Sequence, residues 1–184
     1  MIRILLFLIS LFSSFIQPAY ADSSAGPGIG LTYPIITTEP DDMSGYRFSL
    51  WYQPQAYIWS FVKLYFDASF GHWSVDEIPA YRHAERQVNI YSIAPVARFY
   101  YRGENISPFV DVSIGVSYLT RTRIYTRNLG MHVSFQDQLA FGAILGKEQR
   151  VSVSLGGLHY SNGSLCNRNG GMTIPLFINL GFRL

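Results

Sequence analysis

Beyond its first two dozen residues this chain carries almost no helical periodicity and instead reads as eight runs with strand periodicity. The runs fall at about 27–37, 44–53, 58–71, 86–102, 106–119, 130–146, 150–162 and 173–184. Several carry one apolar face. In the second, Tyr46, Phe48, Leu50 and Tyr52 share a parity. In the sixth, Val133, Phe135, Leu139, Phe141 and Ala143 lie opposite His132, Ser134, Gln136 and Gln138. In the eighth, Ile174, Leu176, Ile178, Leu180, Phe182 and Leu184 form one unbroken face, with Thr173, Asn179, Gly181 and Arg183 behind it.

The joins between these runs alternate in length. Those near 54–57, 103–105 and 146–149 are short, whereas those near 38–43, 72–85, 120–129 and 163–172 are mostly longer. Short turns on one side and long loops on the other are the asymmetry of a membrane barrel, and an even strand count returns both ends of the barrel to the same side. The expected fold is therefore an all-β, eight-stranded antiparallel transmembrane β-barrel, apolar outside and polar inside. Composition agrees: only 14% of residues are charged, against 13 Tyr, 13 Phe and 3 Trp. A soluble lipocalin-like barrel would reverse the two faces, and the apolar face of the eighth strand argues against it. Pro95, Pro108 and Pro175 fall inside expected strands; 108 and 175 sit near strand starts, while Pro95 requires a bulge or a break.

Met1, Ile2 and Arg3 precede an apolar run from Ile4 to Ile16 and a small-residue ending at Ala19-Tyr20-Ala21. This is the pattern of a secretory signal over 1–21, leaving a single domain over 22–184. Arg3 is the only charge lost with it, so the formal net charge falls from +2 to +1, and nothing in the charge balance points to nucleic acid. Cys166 is alone, which excludes an internal disulfide.

Chemistry concentrates in the seventh run. Val151, Val153, Leu155, Gly157, His159 and Ser161 share one face, so the histidine and serine project the same way. At a rise of about 3.3 Å per residue the pair lies about 30 Å along the strand from Arg150, near the outer leaflet, on the lipid-facing side. Ser161 can act as nucleophile and His159 as base and then acid. Asn162, or backbone N–H groups near Gly163, can hold an oxyanion. Arg121, Arg123 and Arg127 in the third outer loop are placed for lipid phosphates, unless they form an ordinary solvated loop. A metal between His72, His83 and the nearby acids has no supporting spacing, and His132 is expected in the lumen.

The segment His159-Tyr160-Ser161-Asn162-Gly163, with Asn169, Gly170 and a last strand after it, resembles the outer-membrane lipid A 3-O-deacylases, the PagL-like family. The segment Phe135-Gln136-Asp137-Gln138-Leu139-Ala140-Phe141-Gly142 is similar to that family's sixth strand. The resemblance is strongest over 130–184. It implies an eight-stranded barrel in the outer membrane of a Gram-negative bacterium, cleaving the ester-linked acyl chain at position 3 of lipid A through a serine–histidine–acid triad on the barrel exterior. It implies His159 as base, Ser161 as nucleophile and Asn162 as oxyanion residue, with no metal or organic cofactor. The family's acid falls at Thr173, which cannot carry a negative charge. Asp137 is assigned to the lumen, Asp111 to the middle of the barrel and Glu148 to an inner turn, leaving Asp76, Glu77 and Glu85 of the second outer loop as substitutes. The expected partners are lipopolysaccharide of the outer leaflet, the membrane and, as an oligomeric option, a second copy of the chain. The alternative function is a catalytically weak or inactive barrel that binds lipid A or has a structural role. A narrow pore is disfavoured, because eight strands leave room only for side chains.

Overall fold

A computed structural model describes residues 25–54, 57–59, 61–76 and 85–184. The expected signal segment, Glu77 and His83 lie outside the described residues. The fold is a closed antiparallel barrel of eight long strands: β1 Gly26–Ile36, β2 Met43–Gln53, β3 Val62–Val75, β4 Gln87–Tyr100, β5 Ile106–Leu119, β6 Val133–Leu145, β7 Val151–Ser161 and β8 Met172–Arg183. Each pairs with its sequence neighbour, and β1 pairs with β8 to close the sheet. Closure leaves no free edge among these strands. Tyr57–Trp59 pairs with the start of β3, and Arg123–Ile124 pairs with Arg127–Asn128 in the β5–β6 loop. The third strand is displaced from its expected range, so that His72 lies in β3, where its Nδ1 is 2.7 Å from Asn89 Oδ1.

The two faces of the wall have opposite chemistry. Leu31, Leu50, Ile93, Ile114, Phe141 and Leu180 are among the large apolar side chains that point outward and are exposed. Burying each such side chain is worth about 1.5–3 kcal/mol, so this exterior belongs in hydrocarbon. Inside, Arg47 pairs with Asp67 at 2.5 Å and Arg98 pairs with Asp111 at 2.7 Å, with Tyr65 donating to Asp111 at 2.8 Å. Arg47, Asp67, Tyr65 and Asp111 are buried and Arg98 nearly so, and together they fill the middle of the barrel with compensated charge. Towards the end carrying the longer loops the interior changes character. Trp73, Val88, Ile90, Leu119, Leu129, Leu158, Tyr160, Met172, Ile174 and Phe177 form an apolar plug beneath those loops.

Pro95 is accommodated by a local break in one ladder and not by a bulge. It pairs with Phe66 on one side, while towards β5 the ladder runs from Ile93–Val116 to Val96–Ser113 with no change of register. Gly115 lies in that interval, where a Cβ would stand 2.5 Å from the Ala94 Cβ, so the missing side chain permits the close approach.

One register shift departs from strict alternation and decides where the site lies. Gly156 pairs with Phe177 and Leu158 with Ile174, so Pro175 and Leu176 together oppose Gly157. This is a β-bulge in β8. Below it Ile178, Leu180 and Phe182 face out, as the sequence pattern predicts. Above it the parity reverses: Ile174 is fully buried and Thr173 points outward. A second irregularity lies in β1 between Pro34 and Ile36, and Ile35 and Ile36 are both exposed. The loop that follows is bonded to β8.

Candidate active site on the outer face

β7 alternates without interruption at its outer end. Leu158, Tyr160 and Asn162 are buried in the plug, and His159 and Ser161 are directed outward and half-buried. Directly opposite His159 stand Thr173 on β8 and Asp137 on β6. Asp137 has the parity of Phe135, and it lies on the outer wall rather than in the lumen. Its neighbours Gln136 and Gln138 carry the polar side chains of the inner face.

His159 Nδ1 is 2.8 Å from Thr173 Oγ1. Directly opposed residues of antiparallel strands have Cβ atoms about 4.5–5.5 Å apart, which suits an imidazole meeting a hydroxyl. Thr173 Oγ1 in turn donates to Glu39 Oε2 at 2.7 Å. Glu39 arrives on the loop between β1 and β2, which docks on β8 through main-chain bonds. Thr173 N–H donates to the Glu39 carbonyl at 2.9 Å, and Thr38 N–H to the Thr173 carbonyl at 3.3 Å. The carboxylate nearest the candidate acid position is therefore Glu39, which sequence reasoning did not weigh; 134 residues separate it from Thr173. Asp76, considered as a substitute, has no recorded bond to the site among the described residues, and Glu85 is paired with Arg121.

Arg127 closes the far side of the cluster. Its Nη2 donates to Glu39 Oε1 at 2.9 Å, and its Nε donates to the carbonyls of Gly170 and, at 3.2 Å, Gly171. Of the three arginines considered for phosphate contacts, Arg127 is thus engaged in the protein and Arg121 in an ion pair, whereas Arg123 is exposed. Gly171 has φ +32°, and a Cβ on it would stand 3.0 Å from His159 Cε1. Its bare backbone is what lets the imidazole lie against the loop.

Asn162 is fully buried, and its side chain does not reach the outer surface. Its Nδ2 donates at 2.6 Å to both the Leu129 and the Arg168 carbonyl, tying the two outer loops together. Its main-chain N–H donates to Asn169 Oδ1 at 2.9 Å, which fixes an exposed carboxamide one residue beyond the serine's own strand position. Asn169 is a donor that sequence spacing alone did not single out. Among the described residues no hydrogen bond joins Ser161 to His159, an arrangement common in ligand-free hydrolases, whose catalytic bonds tighten on substrate binding.

Below the pair runs an open apolar hollow of about 400 Å³, lined by Val112, Ile114, Leu139, Gly157 and Pro175, with His159 and Thr173 at its rim. Gly157 is its floor: a Cβ there would come no closer than 3.4 Å to the Pro175 carbonyl oxygen. No cluster of three His, Cys, Asp or Glu side chains among the described residues is arranged to hold a metal.

The family model described as lipid A 3-O-deacylase (PagL) matches residues 43–183. Lipid A deacylase PagL of Pseudomonas aeruginosa PAO1 is 32% identical over 108 residues, which is 59% of this chain and 58% of that protein. The aligned region therefore spans less than two thirds of that relative. Among solved structures, the outer membrane enzyme PagL matches with a TM-score of 0.67 at 23% identity, over 85% of this chain and 99% of the other. Neisserial surface protein A (NspA) matches with a TM-score of 0.55 at 11% identity, over 90% and 100%. Both structural likenesses concern the barrel fold.

Proposed function

Because the chain belongs to the lipid A 3-O-deacylase (PagL) family, we propose that it is an outer-membrane hydrolase that removes the ester-linked acyl chain at position 3 of lipid A. His159 and Ser161 carry the chemistry. The observation that supports this most is the His159 side chain, directed out of the wall beside an apolar hollow with its Nδ1 already bonded.

The acyl chain lies in the hollow over Gly157 and presents its ester carbonyl at the rim. Ser161 Oγ attacks the carbonyl carbon as His159 Nε2 takes the serine proton. The tetrahedral oxyanion is held by the Asn169 Nδ2 and by the Gly163 N–H. Asn162 contributes by fixing the Asn169 carboxamide with its own N–H. The imidazolium then protonates the sugar oxygen as the ester C–O bond breaks, leaving the acyl group on Ser161. Water, deprotonated by His159, attacks that acyl-enzyme and releases the fatty acid with Ser161 restored. Arg123, exposed on the same outer loop as Arg127, is the arginine we assign to a lipid A phosphate.

The test uses the purified full chain in detergent micelles with lipid A, following loss of the 3-linked chain by mass spectrometry. Wild-type release that Ser161→Ala and His159→Ala each abolish supports the hydrolase. Lipid A that is bound and returned intact supports instead a barrel that only binds it.

A further inference from the structure

Thr173 occupies the position at which a triad acid is expected, and the fold brings a carboxylate to it from the first outer loop. Glu39 lies outside residues 43–183, the span matched by the family model. We propose that Glu39 is the acid of this site, a positioning residue that acts on His159 through the Thr173 hydroxyl. The role assigned to His159 rests on the deacylase reading above; the hydrogen-bond relay does not.

A threonine hydroxyl carries one proton, and a carboxylate only accepts. The Thr173 proton therefore lies towards Glu39 Oε2, 2.7 Å away, and the hydroxyl presents a lone pair to His159 Nδ1 at 2.8 Å. Nδ1 must then be the donor. This fixes the neutral imidazole with its proton on Nδ1 and leaves Nε2 bare to accept from serine. Without Glu39 the Thr173 proton is free to point at Nδ1. That would favour the opposite tautomer, which carries its proton on Nε2 and cannot act as the base. Holding the histidine in its productive tautomer is the task of the acid in serine hydrolases generally.

Three charged groups face the imidazole from the elements around it. Glu39 reaches it through Thr173. Arg127 grips the other Glu39 oxygen and keeps the carboxylate aimed. Asp137 stands opposite His159 on β6 and has no recorded hydrogen bond to the ring. Asp137 is the competing candidate, and the experiment separates it from Glu39.

The full chain, labelled with ¹⁵N in its histidine rings, is studied in detergent micelles. Wild type is expected to show His159 with a protonated Nδ1 and a bare Nε2. Glu39→Ala and Thr173→Val should each move the population towards protonated Nε2. Each should also lower kcat about 10²-fold with KM little changed, in the range of general acid–base contributions. The double variant should be no worse than either single, because both remove one relay. Thr173→Ser should behave as wild type, and Glu39→Gln, whose amide oxygen still accepts, should keep the tautomer while losing rate. Asp137→Asn should leave the tautomer unchanged. The proposal is overturned if Glu39→Ala leaves the His159 tautomer unchanged, if the two losses multiply, or if Asp137→Asn reproduces the tautomer change. Should wild type prove inactive on lipid A, the deacylase reading fails and the tautomer measurement still decides the relay.

Discussion

His159 and Thr173 meet across β7 and β8, Nδ1 to Oγ1 at 2.8 Å, at a register set by the bulge in which Pro175 and Leu176 together oppose Gly157. Had β8 alternated strictly, Thr173 would point into the apolar plug and Ile174 into lipid. Deleting Leu176 takes out the extra residue of the bulge, so β8 runs regularly with Thr173 still facing out and Ile174 still buried. The variant is expected to keep its barrel, judged by circular dichroism and heat-modified mobility, and to keep deacylation within about 10-fold, because the facing of Thr173 is what the bulge provides. A loss of more than about 10²-fold would contradict that role.

Gly157 is the floor of the apolar hollow. Gly157→Leu fills the space assigned to the acyl chain. Its expected effect is a KM on lipid A raised at least about 10-fold, with kcat on a short-chain soluble ester nearly unchanged, because uniform substrate binding is lost and not transition-state stabilisation. Equal losses on both substrates would place the chain elsewhere.

Gly171 touches the imidazole edge. Gly171→Ala places a methyl group 3.0 Å from His159 Cε1 at a backbone φ of +32°. The ring must shift, and a displacement of about 1 Å at a catalytic group can lower the rate about 10²-fold. Steady-state kinetics with thermal unfolding checks this: kcat should fall while the midpoint moves by only a few degrees.

Asn162 is a tie between loops. Asn162→Ala leaves the buried Leu129 carbonyl without its donor, a loss of about 1–3 kcal/mol, and leaves the carbonyl of the exposed Arg168 with Cys166 Sγ at 3.3 Å. Hydrogen exchange should rise in the β5–β6 and β7–β8 loops together, and activity should fall with it. Exchange confined to one loop would contradict the tie.

Asp111 carries the contrasting prediction. Asp111→Asn strips Arg98 of its counter-charge inside the barrel, a change of about 3–5 kcal/mol for a buried pair. Unfolding in denaturant should move accordingly. The protein that remains folded should deacylate at the wild-type rate, since neither residue touches His159.

Most of the barrel is legible from sequence because a wall between lipid and a polar lumen imposes strict alternation, as in Leu180, Gly181 and Phe182. The signal fails at the outer end of β8. There the interior is an apolar plug, so Ile174 is as apolar facing in as Leu176 is facing out, and no contrast marks the bulge. His132 fails for a related reason: it lies outside on the Tyr118 ring, with centroids 5.6 Å apart, because its Nδ1 meets the Leu119 carbonyl at the rim. The histidine and serine of β7 are legible as an outward pair. Glu39 is not, since loop docking and not periodicity brings it to Thr173.

In the proposed reaction Ser161 takes the 3-linked acyl chain of lipid A. Brief exposure of the full chain to lipid A in micelles, acid quenching, and mass mapping of the peptide that contains Ser161 follows that transfer. The peptide is expected to be heavier by one acyl group, with the mass shift lost in Ser161→Ala. Deacylated lipid A alongside an unmodified Ser161, persisting in the alanine variant, would overturn the assignment.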